Sequence, residues 1–264
     1  MSNFNNKTIW LTGASSGIGK ALMNEFLDQG AIVIISSRKE DALNKIKSES
    51  KYSDNIYVQK IDLADQSNFH EITKHLISKF NRIDFLINNG GISQRSEAFT
   101  TSLDVDRKIM EVNYFGNIAL TKAVLPYMQK KKSGHIITIS SIAGKFGFFL
   151  RSAYSASKHA LHGFYESLRL EEEKNNINVT IVCPGKINTN ISVNALSGDG
   201  SSHAEMDDNQ ANGMPADECA KQILKAIIKN KKEVLIGNKE IKAVTLKRLF
   251  PSLFYKIIKK QKAT

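Results

Sequence analysis

The sequence predicts an α/β fold, a doubly wound parallel sheet followed by a basic helical extension. Three observations predict it. Short β-branched runs alternate with longer stretches of helical periodicity along most of the 264 residues. Several of the short runs are almost wholly apolar, as strands covered by helices on both faces must be. The first run also passes into the first helical stretch through a glycine-rich turn. Strand–helix alternation with right-handed crossovers places helices on both sides of one sheet.

The expected strands are Thr8–Leu11, Ala31–Ser36, Asn55–Ile61, Phe85–Asn88, His135–Ser140, Asn178–Cys183 and Glu233–Ile236. Between them, helices are expected around Ile18–Gln29, Glu40–Ser48, Ser67–Phe80, Leu103–Lys130, Ala153–Lys174 and Ala216–Lys229. Two segments break the pattern. Residues from about 188 to 214 are rich in Asn, Ser, Gly and Asp and read as a long mobile connection, a substrate lid. Residues 241–264 read as a separate basic amphipathic extension. Leu246, Leu249, Phe250, Leu253, Phe254, Ile257 and Ile258 recur there at helical spacing, interrupted by Pro251. The remainder, 1–240, reads as one domain.

Composition is ordinary for a soluble globular chain, with 41% hydrophobic and 24% charged residues. No apolar run approaches the length of a membrane span, and the N-terminus has no signal-peptide core. Cys183 and Cys219 form neither a metal spacing nor a disulfide framework, so no metal is expected and a reducing, cytoplasmic setting fits. The net charge of +11 is unevenly placed: residues 221–264 carry 13 basic and 2 acidic residues, and the rest is balanced. That argues against a globally basic nucleic-acid-binding domain and leaves open a local contact with an anionic surface.

The glycine-rich turn is Thr12-Gly13-Ala14-Ser15-Ser16-Gly17-Ile18-Gly19. In a strand–turn–helix context, Gly13 permits the sharp turn. Gly17 lets the backbone approach a pyrophosphate, and Gly19 lets helix and strand pack closely. Free N–H groups and the positive end of the helix then face phosphates. The spacing is G-x-x-x-G-x-G, not the commoner G-x-G-x-x-G. Far along the chain, Tyr154 and Lys158 sit four apart in Tyr154-Ser155-Ala156-Ser157-Lys158, one turn apart on a helix face. An ammonium near a phenol favours the phenolate and lowers its pKa, which tunes a proton donor and acceptor for an alcohol oxygen.

With these motifs in order, the sequence resembles the short-chain dehydrogenase/reductase family from about Lys7 to Ile236. The resemblance rests on Thr12-Gly13…Gly17-Ile18-Gly19, Asn88-Asn89-Gly90-Gly91, Asn113, Ser140-Ser141, Tyr154…Lys158 and Pro184-Gly185. Val112-Asn113-Tyr114-Phe115-Gly116 and Ser157-Lys158-His159-Ala160 look most like a branch of microsomal and peroxisomal dehydrogenase/reductases, whose members act on ketones of lipids, steroids or retinoids. The resemblance implies a Rossmann-type fold and a catalytic tetrad of Asn113, Ser141, Tyr154 and Lys158. In it Tyr154 exchanges the proton, and Lys158 lowers its pKa and binds the nicotinamide ribose. Ser141 polarises the substrate oxygen, and Asn113 holds a water linked to Lys158. It further implies cofactor contacts from Gly13, Ser15, Ser16, Gly17, Ile18, Gly19, Asp62, Leu63, Asn89, Gly90, Tyr154, Lys158, Pro184, Gly185, Ile187 and Thr189. Asp62 would meet the adenine edge, and Ile187 and Thr189 the carboxamide and phosphates. Where the family usually has alanine, Gly90 is expected to loosen the turn beside the cofactor. A homodimer or homotetramer is implied, with the helices containing Asn113 and Tyr154 at the main interface.

Cofactor choice follows from the end of the second strand, Ile35-Ser36-Ser37-Arg38-Lys39. An acidic residue there would bind the ribose 2′-hydroxyl of NAD. Instead Arg38 offers a guanidinium for a 2′-phosphate, with Ser37 as a further donor, so NADP(H) is expected. Phe146, Phe148 and Phe149 are expected to wall an apolar small-molecule substrate. The reading is therefore an NADP(H)-dependent carbonyl reductase or alcohol dehydrogenase. Two alternatives stand beside it: a non-enzymatic dinucleotide-binding redox sensor, and a lipid-surface tether acting through the basic tail, which would make peripheral contact with anionic membrane.

Overall fold

A computed structural model describes residues 4–263. Its centre is a seven-stranded parallel sheet. The strands are β1 (Thr8–Thr12), β2 (Ile32–Ser36), β3 (Ile56–Val58), β4 (Phe85–Asn88), β5 (Gly134–Ile139), β6 (Ile177–Pro184) and, after two short strands described below, β9 (Glu233–Ile236). They lie in the order β3-β2-β1-β4-β5-β6-β9. Chain order reverses between β1 and β4, which opens a crevice beyond the carboxyl ends of those strands. The register pairs Ile9–Leu11 with Phe85–Ile87 and Ile136–Ile139 with Val179–Val182.

Two apolar layers cover the sheet. On one face, α1 (Gly17–Leu27) and α8 (Ala216–Ile228) pack Leu22, Phe26, Ile223 and Ile227 on Ile9, Leu11, Val33 and Ile137. On the other, α3 (Phe69–Phe80), α5 (Gly116–Lys131) and α6 (Ser152–Glu172) pack Leu76, Leu120, Val124, Leu161 and Tyr165 on Trp10, Ile34, Leu86 and Ile136. Burying a Leu, Ile or Phe side chain stabilises by about 1.5–3 kcal/mol. The alternation of strand and helix thus has a direct energetic cause, since each strand presents apolar side chains to both layers.

Some boundaries differ from expectation. The third strand is regular only over Ile56–Val58, not Asn55–Ile61; Asn55 closes a 3-10 turn, and beyond Val58 only the Gln59 and Ile61 N–H groups still reach the Ile35 and Ser37 carbonyls. The stretch expected as one helix, Leu103–Lys130, is α4 (Leu103–Met110), a π-helical turn at Glu111–Phe115, and α5. The remaining short elements are α2 (Glu40–Glu49), β7 (Ile187–Asn188), α7 (Asp208–Ala211) and β8 (Met214–Pro215).

The segment between β7 and α8 folds back on the body. Leu196 pairs with Gln94, and Asp207 reaches Arg95 in an ion pair whose side chains are 1–2% exposed. Past β9 the chain forms α9 (Lys242–Leu249) and α10 (Pro251–Ile258). Pro251 starts α10, where its missing N–H costs no hydrogen bond. Phe254 is buried and meets Phe146 edge-on at 5.2 Å, and Lys247 Nζ donates to the Lys145 carbonyl at 2.9 Å.

Candidate active site

The glycine-rich turn lies at the carboxyl end of β1, against the end of β4. Gly13 has φ +66°, which favours glycine. A Cβ on Gly19 would lie 2.2 Å from the Gly13 carbonyl oxygen, so only glycine lets the helix close on the turn. Ser16 caps α1 without a side-chain hydrogen bond, and the first turn of α1 holds no acidic residue. Its N–H groups are therefore available to an anion at the positive end of the helix.

Two asparagines divide the work at the end of β4. Asn88 points into the core, where Nδ2 donates to Thr121 Oγ1 and Tyr165 Oη, each at 2.8 Å. This ties α5 and α6 to the sheet. Asn89 points the other way, and its Nδ2 donates to the carbonyls of Thr12 (3.0 Å) and Gly13 (3.2 Å). The N–H groups of Asn89 and Gly90 both donate to Thr12 Oγ1, at 3.0 and 2.9 Å. The turn expected to loosen at Gly90 is thus held by four hydrogen bonds. Gly90 is also close-packed: a Cβ there would lie 2.6 Å from Leu63 Cδ1.

Asn113 sits in the π-helical turn, fully buried. It accepts from the Ile92 N–H (2.8 Å) and donates to the Ile92 carbonyl (2.9 Å) and Ser157 Oγ (3.0 Å). One side chain thereby fixes the loop after β4 and the face of α6 between Tyr154 and Lys158. The wide turn has a local purpose, since π-bulges often mark functional sites. Gly91 lies between the two groups: a Cβ there would be 2.9 Å from Asn113 Oδ1 and 3.5 Å from Lys158 Nζ.

Tyr154 and Lys158 occupy the first turns of α6, both buried. Lys158 Nζ lies 5.7 Å from the centre of the Tyr154 ring and donates to the Ile139 carbonyl at 2.8 Å. Ser141, just beyond β5, accepts from the Ala143 N–H at 3.1 Å and donates to the Pro184 carbonyl at 3.4 Å. Burial pushes the Tyr154 phenol above its ordinary pKa. The nearby Ser141 hydroxyl and the charges of Arg95 and Arg151 pull it back only in part. The ammonium alone gives the lowered value expected from the sequence; desolvation, which depends on tertiary packing, reverses the sign. Burial likewise lowers Lys158, to about 8.

A cavity of about 1380 Å³ opens over these groups. Of the expected site residues, Ile18, Asn89, Ser141, Phe146, Phe148, Tyr154, Lys158, Pro184, Gly185, Ile187 and Thr189 line it. Asn113 stands behind Gly91. Gly13, Ser15, Ser16, Gly17 and Gly19 form the turn beside it, and Thr189 Cγ2 lies 3.0 Å from where a Cβ of Gly17 would be. Ser37, Arg38, Asp62 and Leu63 follow β2 and β3 along the same edge of the sheet. Arg38 is exposed, and Asp62 accepts from the Ala64 N–H at 2.9 Å. Phe149 does not join the cavity wall; it is half exposed and stacks edge-on with Phe148 at 5.5 Å.

Other parts of the wall lie outside the expected site. Leu246, Leu249, Phe250, Phe254, Ile257 and Ile258 of α9 and α10 close one side of the cavity. Their helical spacing was visible in the sequence, but not the direction of their shared face. Arg95 and Arg151 also line it, and both reach Asp207 Oδ2, at 2.6 and 2.8 Å. Burial, aided by the like charge of Arg95, lowers Arg151 to about 10.

The residues fit a dinucleotide. A glycine cradle and an uncapped helix N-terminus suit its pyrophosphate, and the buried lysine and tyrosine stand at the deep end of the same cavity. Comparison with known proteins agrees. The family model described as short chain dehydrogenase matches residues 7–199. The chain is 43% identical over 261 residues to the dehydrogenase/reductase SDR family protein 7-like of Drosophila melanogaster, covering 97% of this chain and 80% of that protein. It is 43% identical over 259 residues to dehydrogenase/reductase SDR family member 7B of Mus musculus, covering 96% and 80%. A short-chain dehydrogenase of Streptomyces avermitilis superposes with a TM-score of 0.83 at 27% identity, covering 99% of this chain and all of the other. With a parallel sheet that switches direction at β1 and β4, and with Ser141, Tyr154 and Lys158 gathered at its carboxyl edge, this chain belongs to the short-chain dehydrogenase family of nicotinamide-dependent oxidoreductases acting on CH–OH groups.

Proposed function

We propose that the chain is an NADP(H)-dependent oxidoreductase that interconverts a ketone and a secondary alcohol on an apolar, lipid-like substrate. The observation that carries this reading is the buried Tyr154 phenol, beside Ser141 and Lys158, at the wall of a cavity lined by Phe146, Phe148, Phe254 and Ile257.

NADP(H), when bound, supplies the hydride or receives it. Tyr154 gives its proton to the carbonyl oxygen in reduction and takes it back in oxidation. The Ser141 hydroxyl donates to the same oxygen as negative charge develops there. Lys158, as a cation, stabilises the phenolate and holds the ribose hydroxyls. Asn113 positions Ile92 and Ser157 and so fixes the ground on which Lys158 stands. Around the reacting atoms, the phenylalanines and the two helices after β9 keep water out, which strengthens each of these interactions.

Arg38 supports the choice of NADP(H). It is exposed after β2 and makes no ion pair among the described residues, and no carboxylate stands there to repel a 2′-phosphate. The family also supports a homodimer or homotetramer built on α5 and α6. A purely regulatory dinucleotide sensor is less well supported, because Asn113, Ser141, Tyr154 and Lys158 are all present and clustered.

The test is a screen of apolar ketones and secondary alcohols with both nicotinamide cofactors, followed by nicotinamide absorbance. Turnover with NADPH or NADP supports the reading. Turnover only with NAD(H) would overturn the cofactor assignment, and cofactor binding without turnover across the screen would favour the sensor.

A further inference from the structure

One flank of α9 and α10 carries four large side chains within nine residues that are more than two-fifths exposed. Leu249 is 61% exposed, Phe250 60%, Leu253 48% and Ile257 43%. Single exposed apolar residues are normal on a soluble surface, but a contiguous patch marks an interaction site. The inner face of the same helices is already used, with Phe254 against Phe146 and Leu246 and Ile258 in the cavity wall. Among the described residues, the outward surfaces of Leu249, Phe250, Leu253 and Ile257 are left uncovered.

Charge says what kind of partner fits. Between residues 241 and 263 there are seven basic residues and no acidic one. Lys256, Lys259, Lys260, Lys262 and Arg248 are exposed, and none of the seven is in an ion pair among the described residues. Two copies meeting through this face would bring like charges together, which disfavours self-association there. Leu249, Phe250 and Ile257 both line the cavity and face outward. These apolar side chains therefore bridge the outside and the cavity wall. An acidic protein seated there would cover that mouth. A bilayer would instead extend the apolar phase up to it.

We infer that this flank of α9 and α10 docks the protein on an anionic lipid surface. Leu249, Phe250, Leu253 and Ile257 enter the headgroup boundary, and the surrounding lysines meet lipid phosphates and carboxylates. Docked in this way, the cavity mouth faces the bilayer, and a lipid-borne ketone or alcohol enters without crossing water. The docking stands on the exposed patch and the charge, whereas the delivery of substrate rests on the proposed function.

The experiment separates the two by reading binding, not turnover. The intact chain is sedimented with vesicles of phosphatidylcholine alone and of phosphatidylcholine mixed with phosphatidylserine, at low and high salt. Binding to the mixed vesicles at least about tenfold tighter than to the neutral ones is expected, weakening as salt screens the lysines. Lys256→Gln with Lys259→Gln and Lys260→Gln should abolish that preference. Leu249→Ser with Leu253→Ser should weaken binding to both, and circular dichroism should show each variant folded. As a second reading, Leu253→Trp places an indole in the patch, and its emission should shift to the blue with anionic vesicles only. An intact protein that stays in the supernatant with anionic vesicles at low salt overturns the inference. So does equal binding to neutral vesicles, or self-association in light scattering that Leu253→Ser removes.

Discussion

Arg151 Nη2 lies 2.8 Å from Asp207 Oδ2, which joins the residue three positions before Tyr154 to the segment between β7 and β8. Arg151 does more than pair. Its Nη1 donates to the carbonyls of Phe149 and Ala263, both at 2.8 Å, and its guanidinium lies over the Phe148 ring at 5.5 Å. One side chain thus holds the phenylalanine loop, the connection and the chain beyond α10 around the start of α6. Asp207 also accepts from Arg95 Nε at 2.8 Å, so two guanidinium groups share one buried carboxylate. Asp207→Ala leaves both charges buried without a counter-ion, a loss of about 3–5 kcal/mol. At about 2–4 °C per kcal/mol for a chain of this size, Tm should fall by roughly 6 °C or more in a thermal melt. Arg151→Met keeps the Arg95–Asp207 pair and should cost less stability. It should raise KM for an apolar substrate more than it changes NADP affinity.

Tyr154→Phe removes one oxygen and keeps the ring. It should lower kcat by at least about tenfold, a barrier increase of about 1.4 kcal/mol or more, while cofactor affinity measured by titration changes little. Lys158→Met should damage both, because Lys158 is assigned two roles. Lys158 titrates near 8, so its cationic form is lost as pH rises through that value. The wild-type rate should therefore fall above about pH 8 where the charge of Lys158 is needed.

Arg38→Asp should weaken NADP binding and shift preference toward NAD, since a carboxylate in that place repels a 2′-phosphate and accepts from a 2′-hydroxyl. Parallel titrations of wild type and variant with both cofactors check it. Tighter binding of NAD by the wild type would count against the role given to Arg38.

Stability should fall in mild acid through His135. Burial lowers this ring from 6.5 to about 4, and it is held against Thr180 Oγ1 at 2.8 Å. A histidine buried neutral protonates more readily in the unfolded chain. Between pH 6.5 and 4 the unfolded state therefore binds more protons, and stability drops as pH falls through that window. From pH 7 to pH 5 the loss from this one group is about 2 kcal/mol. Urea denaturation at the two pH values should show it, and His135→Gln should flatten the difference. His162, also pushed to about 4 by burial, adds to the same trend with a smaller weight because it is more exposed to solvent.

Much of this architecture was legible in the sequence for a physical reason. Parallel strands are buried on both faces, so they appear as apolar runs, and the helices between them carry the 3.6-residue period. The glycine turn and the Tyr154–Lys158 pair are local in sequence, so spacing alone places them. What was not legible depends on contacts distant along the chain. The π turn at Asn113 is tied to hydrogen bonds with Ile92, 21 residues earlier, and Ser157, 44 later. The Arg95–Asp207 pair spans 112 residues. The rise in the Tyr154 pKa comes from burial, which no pair of neighbouring letters encodes. The place of α9 and α10 in the cavity wall is of the same kind: amphipathic spacing marks a face, but not what the face meets.

That wall also separates two properties that many enzymes entangle. The groups proposed to exchange protons stand at the edge of the sheet, while much of the surface that would judge a substrate's shape hangs from it as two short helices, anchored by Phe254 and a few hydrogen bonds. Selectivity is therefore free to diverge without disturbing the chemistry. Relatives of this chain can acquire new substrates by rewriting about twenty residues after β9, and a graft of that segment between two of them should carry preference along with it.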